Sequence, residues 1–263
     1  MRVSIVYPTA RFGGLDILYD NLTRQTYQDF ECIVVDELKR SKDLFIIPKT
    51  KIIDAPEKTP GMYWNLDKSL NHAIRQTHGD LIVLLNDFIW LPDDALERLV
   101  RVHDEDKPCL VTGVGHQYLI DKPEDFNPEG RYAIWSKYPG KPTGERVFTD
   151  PRVKGKGVYV CTPVEWEGNW ACFAKEIWQK IGGFDEEFDA GWGYDNVNFA
   201  ERAQLAGYNT FLDLENECFG YSHIRIFGEQ KARDTAPNNQ PMWYKKYQEL
   251  HYNPETAWKL NYA

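Results

Sequence analysis

Residues 182–202 read GGFDEEFDAGWGYDNVNFAER and crowd carboxylates, amides, glycines and a tryptophan into a stretch too polar for an ordinary core. Side chains of this type at this density either meet a bound ligand, through proton exchange and hydrogen bonding, or cap helices. Asp195 follows the Gly191-Trp192-Gly193 break, just where Val197, Phe199, Ala200, Ala203 and Leu205 begin to recur at helical spacing. A carboxylate there interacts favourably with the free N–H groups and positive end of the helix, so capping alone would account for it. Trp192, with Trp166 and Trp170 upstream, adds flat apolar rings that serve equally as one wall of a ligand site or as half-buried packing. Further polar groups follow apolar runs: Thr9 and Arg11 after VSIVYP, Asp36 after ECIVV, and Asn86-Asp87-Phe88 after LIVLL.

The elements that position these residues can be read from hydrophobic period. Short apolar, β-branched runs predict buried parallel strands over 3–7 and 31–35, with a helix over 16–24 between them, the pattern of a β-α-β unit. A weak strand is expected over 51–54, a helix over 64–77 stopped by Gly79, and the strongest strand over 81–85. Pro92, Asp93 and Asp94 open a helix reaching about His103, a strand follows over 109–113, and a helix over 175–181 ends at the Gly182-Gly183 pair. After the helix that runs from Asp195 to Gly207, a last strand is expected over 209–214. Between 121 and 168 periodicity is lost, which predicts long loops and a hairpin. The sum is an α/β fold with a mostly parallel sheet flanked by helices. Ligands of such sheets bind beyond the carboxyl ends of the strands, which brings residues 8–11, 36–37 and 86–88 to one crevice.

Composition excludes several classes. A net charge of −9 disfavours a nucleic-acid binder, which needs a basic surface. The longest apolar run, residues 81–85, is far short of a membrane span, and MRVSIVYP lacks the layout of a secretory signal, so a cytoplasmic protein is expected. Five cysteines, none in a CxxC pair, read as small buried hydrophobes.

Three fragments in order, VSIVYPTARFGG with NLTRQTYQDFECIVVDE, then LNHAIRQTHGDLIVLLNDFIWLPDDAL, then GNWACFAKEIWQKIGGFDEEFDAGWGYDN, resemble glycosyltransferase family 2 over about residues 1–225. The last is similar to a galactosyltransferase-like catalytic segment. The resemblance implies the GT-A fold as a single domain: a nucleotide-sugar half over 1–115, an acceptor and catalytic half over 116–225, and a flexible loop with an aromatic extension over 226–263. It implies an inverting hexosyl transfer from a nucleotide-diphospho-sugar, a UDP-sugar by preference, to a hydroxyl of a saccharide or glycoconjugate. Thr9, Arg11, Asp36, Asn86, Asp87 and Arg225 would bind the donor. Asp87 and His223 would hold Mn2+ or Mg2+, although Phe88 stands where the acidic motif has a second carboxylate. Asp195 would be the general base, with Asn196 beside it, and Trp166, Trp170 and Trp192 would meet the acceptor. Two other readings stay open: a catalytically silent nucleotide-sugar binder, which the altered acidic motif favours, and a sugar nucleotidyltransferase, for which PTARFGG is a poor phosphate loop.

Overall fold

A computed structural model describes residues 1–11, 13–40, 46–105, 108–119, 140–142, 144–222 and 236–252. Its strands are β1 (Val3–Thr9), β2 (Phe30–Asp36), β3 (Thr50–Asp54), β4 (Leu81–Leu85), β5 (Ile89–Trp90), β6 (Cys109–Leu119), β7 (Arg146–Thr149), β8 (Val158–Val160), β9 (Trp170–Ala174) and β10 (Asn209–Ser222). Its helices are α1 (Leu15–Arg24), α2 (Leu66–Ile74), α3 (Ala95–Glu105), α4 (Lys175–Ile181), α5 (Asp195–Leu205) and α6 (Gln240–Tyr252). One sheet runs through them in the order β3-β2-β1-β4-β9-β6-β10-β5, with β7 beside β6 and β8 beside β10. The six strands β1, β2, β3, β4, β6 and β10 point the same way. Antiparallel β9 sits between β4 and β6, and the remaining short strands are antiparallel at the margins.

The unbroken LIVLL of β4 follows from burial on both faces. Leu81, Val83 and Leu85 enter one core with Leu18 and Leu22 of α1 and Leu96 and Leu99 of α3. Ile82 and Leu84 enter a second core with Ile74 of α2, Ile177 of α4 and Phe199 of α5. All five cysteines are free and buried, as expected.

Several elements differ from the sequence expectation, among them β5 and α6, which were not expected, and β6, which runs on to Leu119. β9, WACFA, was not expected: it is fully buried but carries no Val, Ile or Thr, so it has none of the β-branched signal that marks β1 or β4. β10 is longer than the expected strand, because a register shift between Leu212 and Glu217 breaks the alternation over ENE while the chain continues beside β6. Gly182 ends α4 with φ 83°, the left-handed cap that the double glycine implied.

Where β6, β9 and β10 meet, backbone and ring approach each other closely at Gly113. A Cβ there would strike the Asn216 carbonyl oxygen and lie 2.6 Å from Trp170 Cδ1. Gly113→Ala is therefore expected to destabilise the fold by about 1–3 kcal/mol, seen as a lower midpoint in urea unfolding; an unchanged midpoint would mean that this junction has slack.

Candidate active site

The parallel register of β1 with β4, in which Val6 lies opposite Leu84, brings the two carboxyl ends together. Thr9 Oγ1 donates to Asp87 Oδ2 at 3.1 Å, and Arg11 Nη1 donates to Asp87 Oδ1 at 2.6 Å. Asp87 is buried, whereas the Arg11 side chain keeps about a quarter of its surface open. Asn86 turns the other way and ties β4 to the residue before β9: its N and Nδ2 donate to Asn169 O at 3.0 Å and Oδ1 at 2.5 Å. Thr9, Arg11, Asn86 and Asp87 are thus one cluster, assembled from two segments far apart in sequence.

Phe88 turns its ring into an apolar cluster at one side of the crevice. Its φ is 60°, its ring is buried with Ile17, Tyr221 and Trp90, and a Cβ on Gly14 would lie 3.2 Å from that ring. Tyr221 N donates to the Phe88 carbonyl at 2.9 Å and fixes the turn. The left-handed backbone turns the side chain at this position into an apolar cluster beside the start of α1.

Asp36 is held by its own turn. It is 1% exposed; Oδ1 accepts from Leu38 N and Arg40 Nη2, and Oδ2 accepts from Arg40 N and Nε, at 2.9–3.1 Å. Both oxygens are engaged by the turn after β2, so a donor contact from Asp36 would compete with Arg40. His223 and Arg225 lie outside the described residues.

A cavity of about 250 Å³ opens beside Asp87 and is walled further by Thr112, His116, Asp150, Glu167, Asn169 and Trp170. His116 is stacked 5.0 Å from Phe219, with Nε2 3.1 Å from Glu217 Oε2 and Nδ1 3.3 Å from Thr149 Oγ1. Burial pushes the Asp150 carboxyl up, but hydrogen bonds from Arg152 outweigh it and hold the group below the usual carboxylate range. Arg152 also reaches Glu167 at 3.1 Å. Sequence reasoning missed His116 and Asp150: each stands alone among apolar or loop residues, and only the pairing of β6 with β7, His116 opposite Thr149, brings them together.

The carboxylates of residues 182–202 divide their work. Asp185 accepts from Glu187 N and, with Glu187, binds Lys246 at 2.7 and 2.8 Å. Glu186 accepts from Asn71, and Glu201 from Trp243 Nε1. Asp189 caps α2 from a distance, accepting from Leu66 N, Asp67 N and Lys68 N at 2.7–3.2 Å. Asp195 accepts from its own N–H and that of Asn196, and has no side-chain partner among the described residues. Burial, with a smaller push from Asp189, raises its pKa above the usual aspartate value against those N–H bonds. Asn196 donates to the Trp166 carbonyl at 2.6 Å, so its amide anchors α5 to residues 166–169, whose Glu167 and Asn169 face the cavity. Asp195 itself is not among the residues that line the cavity.

The three tryptophans separate sharply. Trp166 is 0% exposed and stacked 5.7 Å from Phe199, so the expected acceptor contact is corrected to core packing. Trp170 is buried, bonds Asn216 through Nε1 at 3.1 Å and meets the cavity along one edge. Trp192 is 41% exposed and keeps a face open to solvent.

The family model for glycosyl transferase family 2 matches residues 11–154, more than half of the chain. The chain belongs to glycosyl transferase family 2. It is a glycosyltransferase of the GT-A fold. No curated protein sequence matches it. Among solved structures it is similar to a mannosyltransferase from Pyrobaculum calidifontis in complex with GDP-Man and Mn2+, at 17% identity and TM-score 0.55, covering 97% of this chain and 71% of that one. It is also similar to GalNAc-T7 with UDP, GalNAc and Mn2+, at 13% identity and TM-score 0.62, covering 96% of this chain and 54% of that one. No helix among the described residues is long and apolar enough to cross a membrane.

Among the described residues no group of three or more His, Cys, Asp or Glu side chains is set to hold a metal ion. A divalent ion that arrives on a diphosphate needs only one or two protein carboxylates, and Asp87 meets that requirement. Phe88 adds nothing to it. For Asp36 the expected effect is on stability: Asp36→Ala removes the carboxylate that faces the buried Arg40 guanidinium, which should cost about 3–5 kcal/mol in chemical denaturation. A variant of normal stability with a weakened donor would restore the binding role.

Proposed function

We propose that this glycosyltransferase moves a hexosyl group from a UDP-sugar to a hydroxyl of a saccharide or glycoconjugate, with inversion, and that Asp195 is the base. The observation that carries this reading is the division of carboxylates above, in which every acidic side chain between 182 and 202 except Asp195 is committed to a partner. A base needs a carboxylate that no cation holds and a raised pKa, and Asp195 fits both: its bonds are to N–H groups at the start of α5, and burial raises its pKa. Asn196 is excluded from the role by its chemistry and by its bond to Trp166. Asp195 would take the acceptor proton as that oxygen attacks the anomeric carbon, while the bond to the diphosphate breaks on the opposite face.

On the donor side, Asp87 would hold a divalent ion, Mn2+ or Mg2+, which when bound neutralises charge on the departing diphosphate. Both similar structures were solved with Mn2+ and a nucleotide or nucleotide sugar. Arg11, about a quarter exposed and already beside Asp87, would turn from that carboxylate to the phosphate oxygens, a planar donor suited to them. Thr9 would keep Asp87 oriented, and Asn86 would brace the loop through Asn169. Trp192 would offer its open face to the acceptor sugar. A silent nucleotide-sugar binder is the second reading, favoured by Phe88 in place of a carboxylate.

Two outcomes are expected. UDP with Mn2+ should raise the melting temperature more than UDP or Mn2+ alone, because a ligand of the native state stabilises it; no response to UDP or GDP under any condition would count against a nucleotide-sugar site. Asp195→Asn should fold normally and lower kcat by about 10²–10⁴-fold, while in the parent the acid limb of kcat/KM should lie above the ordinary aspartate pKa, since the base works only when deprotonated. Near-normal turnover in Asp195→Asn would remove Asp195 from the mechanism, and absent turnover in the parent would leave the silent binder.

A further inference from the structure

The turn that presents Asp195 is held from outside, by the residues that lead into α6. Trp192 N donates to Pro237 O at 3.0 Å and Asn239 N donates to Trp192 O at 3.2 Å, a short ladder between the two segments. The Asn239 side chain is buried, and its Nδ2 donates to Phe188 O at 2.7 Å and Gly193 O at 3.1 Å. One amide therefore ties together the residues on either side of the Gly191-Trp192 break. Both groups facing it are carbonyl oxygens, so an NH2 group fits and a carboxylate does not. A Cβ on Gly191 would strike Pro237 O and lie 2.5 Å from Asn239 Oδ1, which explains the glycine.

The next residue shows why a hold is needed. Tyr194 has φ 70°, a left-handed conformation that strains a bulky side chain and persists only where surroundings enforce it. Its ring is stacked 5.1 Å from Trp243, and Trp243 N donates to Asn239 O at 2.8 Å as α6 begins. Trp243 Nε1 reaches Glu201 on α5 at 2.9 Å, and Lys246 reaches Asp185 and Glu187 before the turn.

We propose that Asn239 is a positioning residue for the transfer reaction, locking the 188–194 turn so that Asp195 is held at the acceptor hydroxyl. This rests on the reading of Asp195 as the base. The start of α6 is then part of the catalytic apparatus, and the aromatic extension that the sequence set apart from the acceptor half completes it.

The test compares the full-length parent with Asn239→Asp, which keeps the shape and loses the donor. Hydrogen exchange is expected to show faster exchange over 189–196 with α1 and β4 unchanged. With UDP-galactose or GDP-mannose as donor, water as acceptor and nucleoside diphosphate release as the readout, kcat should fall about 10–100-fold with donor KM within about twofold. In Asn239→Ala, which adds no charge near the turn, the acid limb of the kcat profile should move to lower pH, because a loosened turn hydrates Asp195. In the Asp195→Asn background, Asn239→Asp should cost nothing further. Parental exchange over 189–196, parental kcat and pH profile, or a loss additive to that of Asp195→Asn would each overturn the proposal. Full turnover in Asp195→Asn would instead sink the base assignment and with it the catalytic part of the proposal, while the exchange data would still decide whether Asn239 holds the turn. If Asn239→Asp melts below assay temperature, Asn239→Ala is scored by the same criteria.

Discussion

The parallel pairing of β1 with β4 is the contact on which the polar half of the site depends. Two strands buried on both faces must shed their polar residues at one end, and the sheet delivers those ends side by side. Thr9, Arg11 and Asp87 meet for that reason and not because of local sequence. The ion pair they form balances the Asp87 charge without any ligand, and it places a cation where a diphosphate would otherwise face a lone carboxylate. Phe88 fits the same arrangement: with its backbone in the left-handed region, the residue after Asp87 packs against α1 and stiffens the loop.

The second half of the site depends on α5 and on what surrounds its start. Asp189 reaches across to cap α2, so the turn before α5 and the helix on the donor side are fastened to each other. Asn196 fastens the first turn of α5 to residues 166–169, and the entry to α6 fastens the turn itself. Each bond uses a polar side chain that a simple reading would count as part of a ligand site. Within residues 182–202 what remains is Asp195, whose carboxylate is bonded only by N–H groups at the start of α5.

Much of the fold was legible because burial on two faces writes a continuous apolar run, as in LIVLL and VSIVY, and glycine pairs mark helix ends. β9 was not, since WACFA has no β-branched residue and no polar alternation, and its place in the sheet is set by β4 and β6. In the site, the positions of Thr9, Arg11, Asn86 and Asp87 followed from strand ends. Asp36 and Trp166 show the limit: an aspartate after a strand and a tryptophan near a glycine turn look the same whether they face ligand or core, and only Arg40 and Phe199 decide. His116, Asp150 and Asn239 had no sequence signal, because each acquires its role through a partner distant in the chain.

The most direct test of the account is the anomeric configuration of the first-formed product, read by proton NMR before mutarotation, when the protein turns over α-linked UDP-galactose. Direct displacement with a single base at Asp195 is expected to give the β anomer. An α anomer would require a second displacement or a front-face path, and would contradict the central claim.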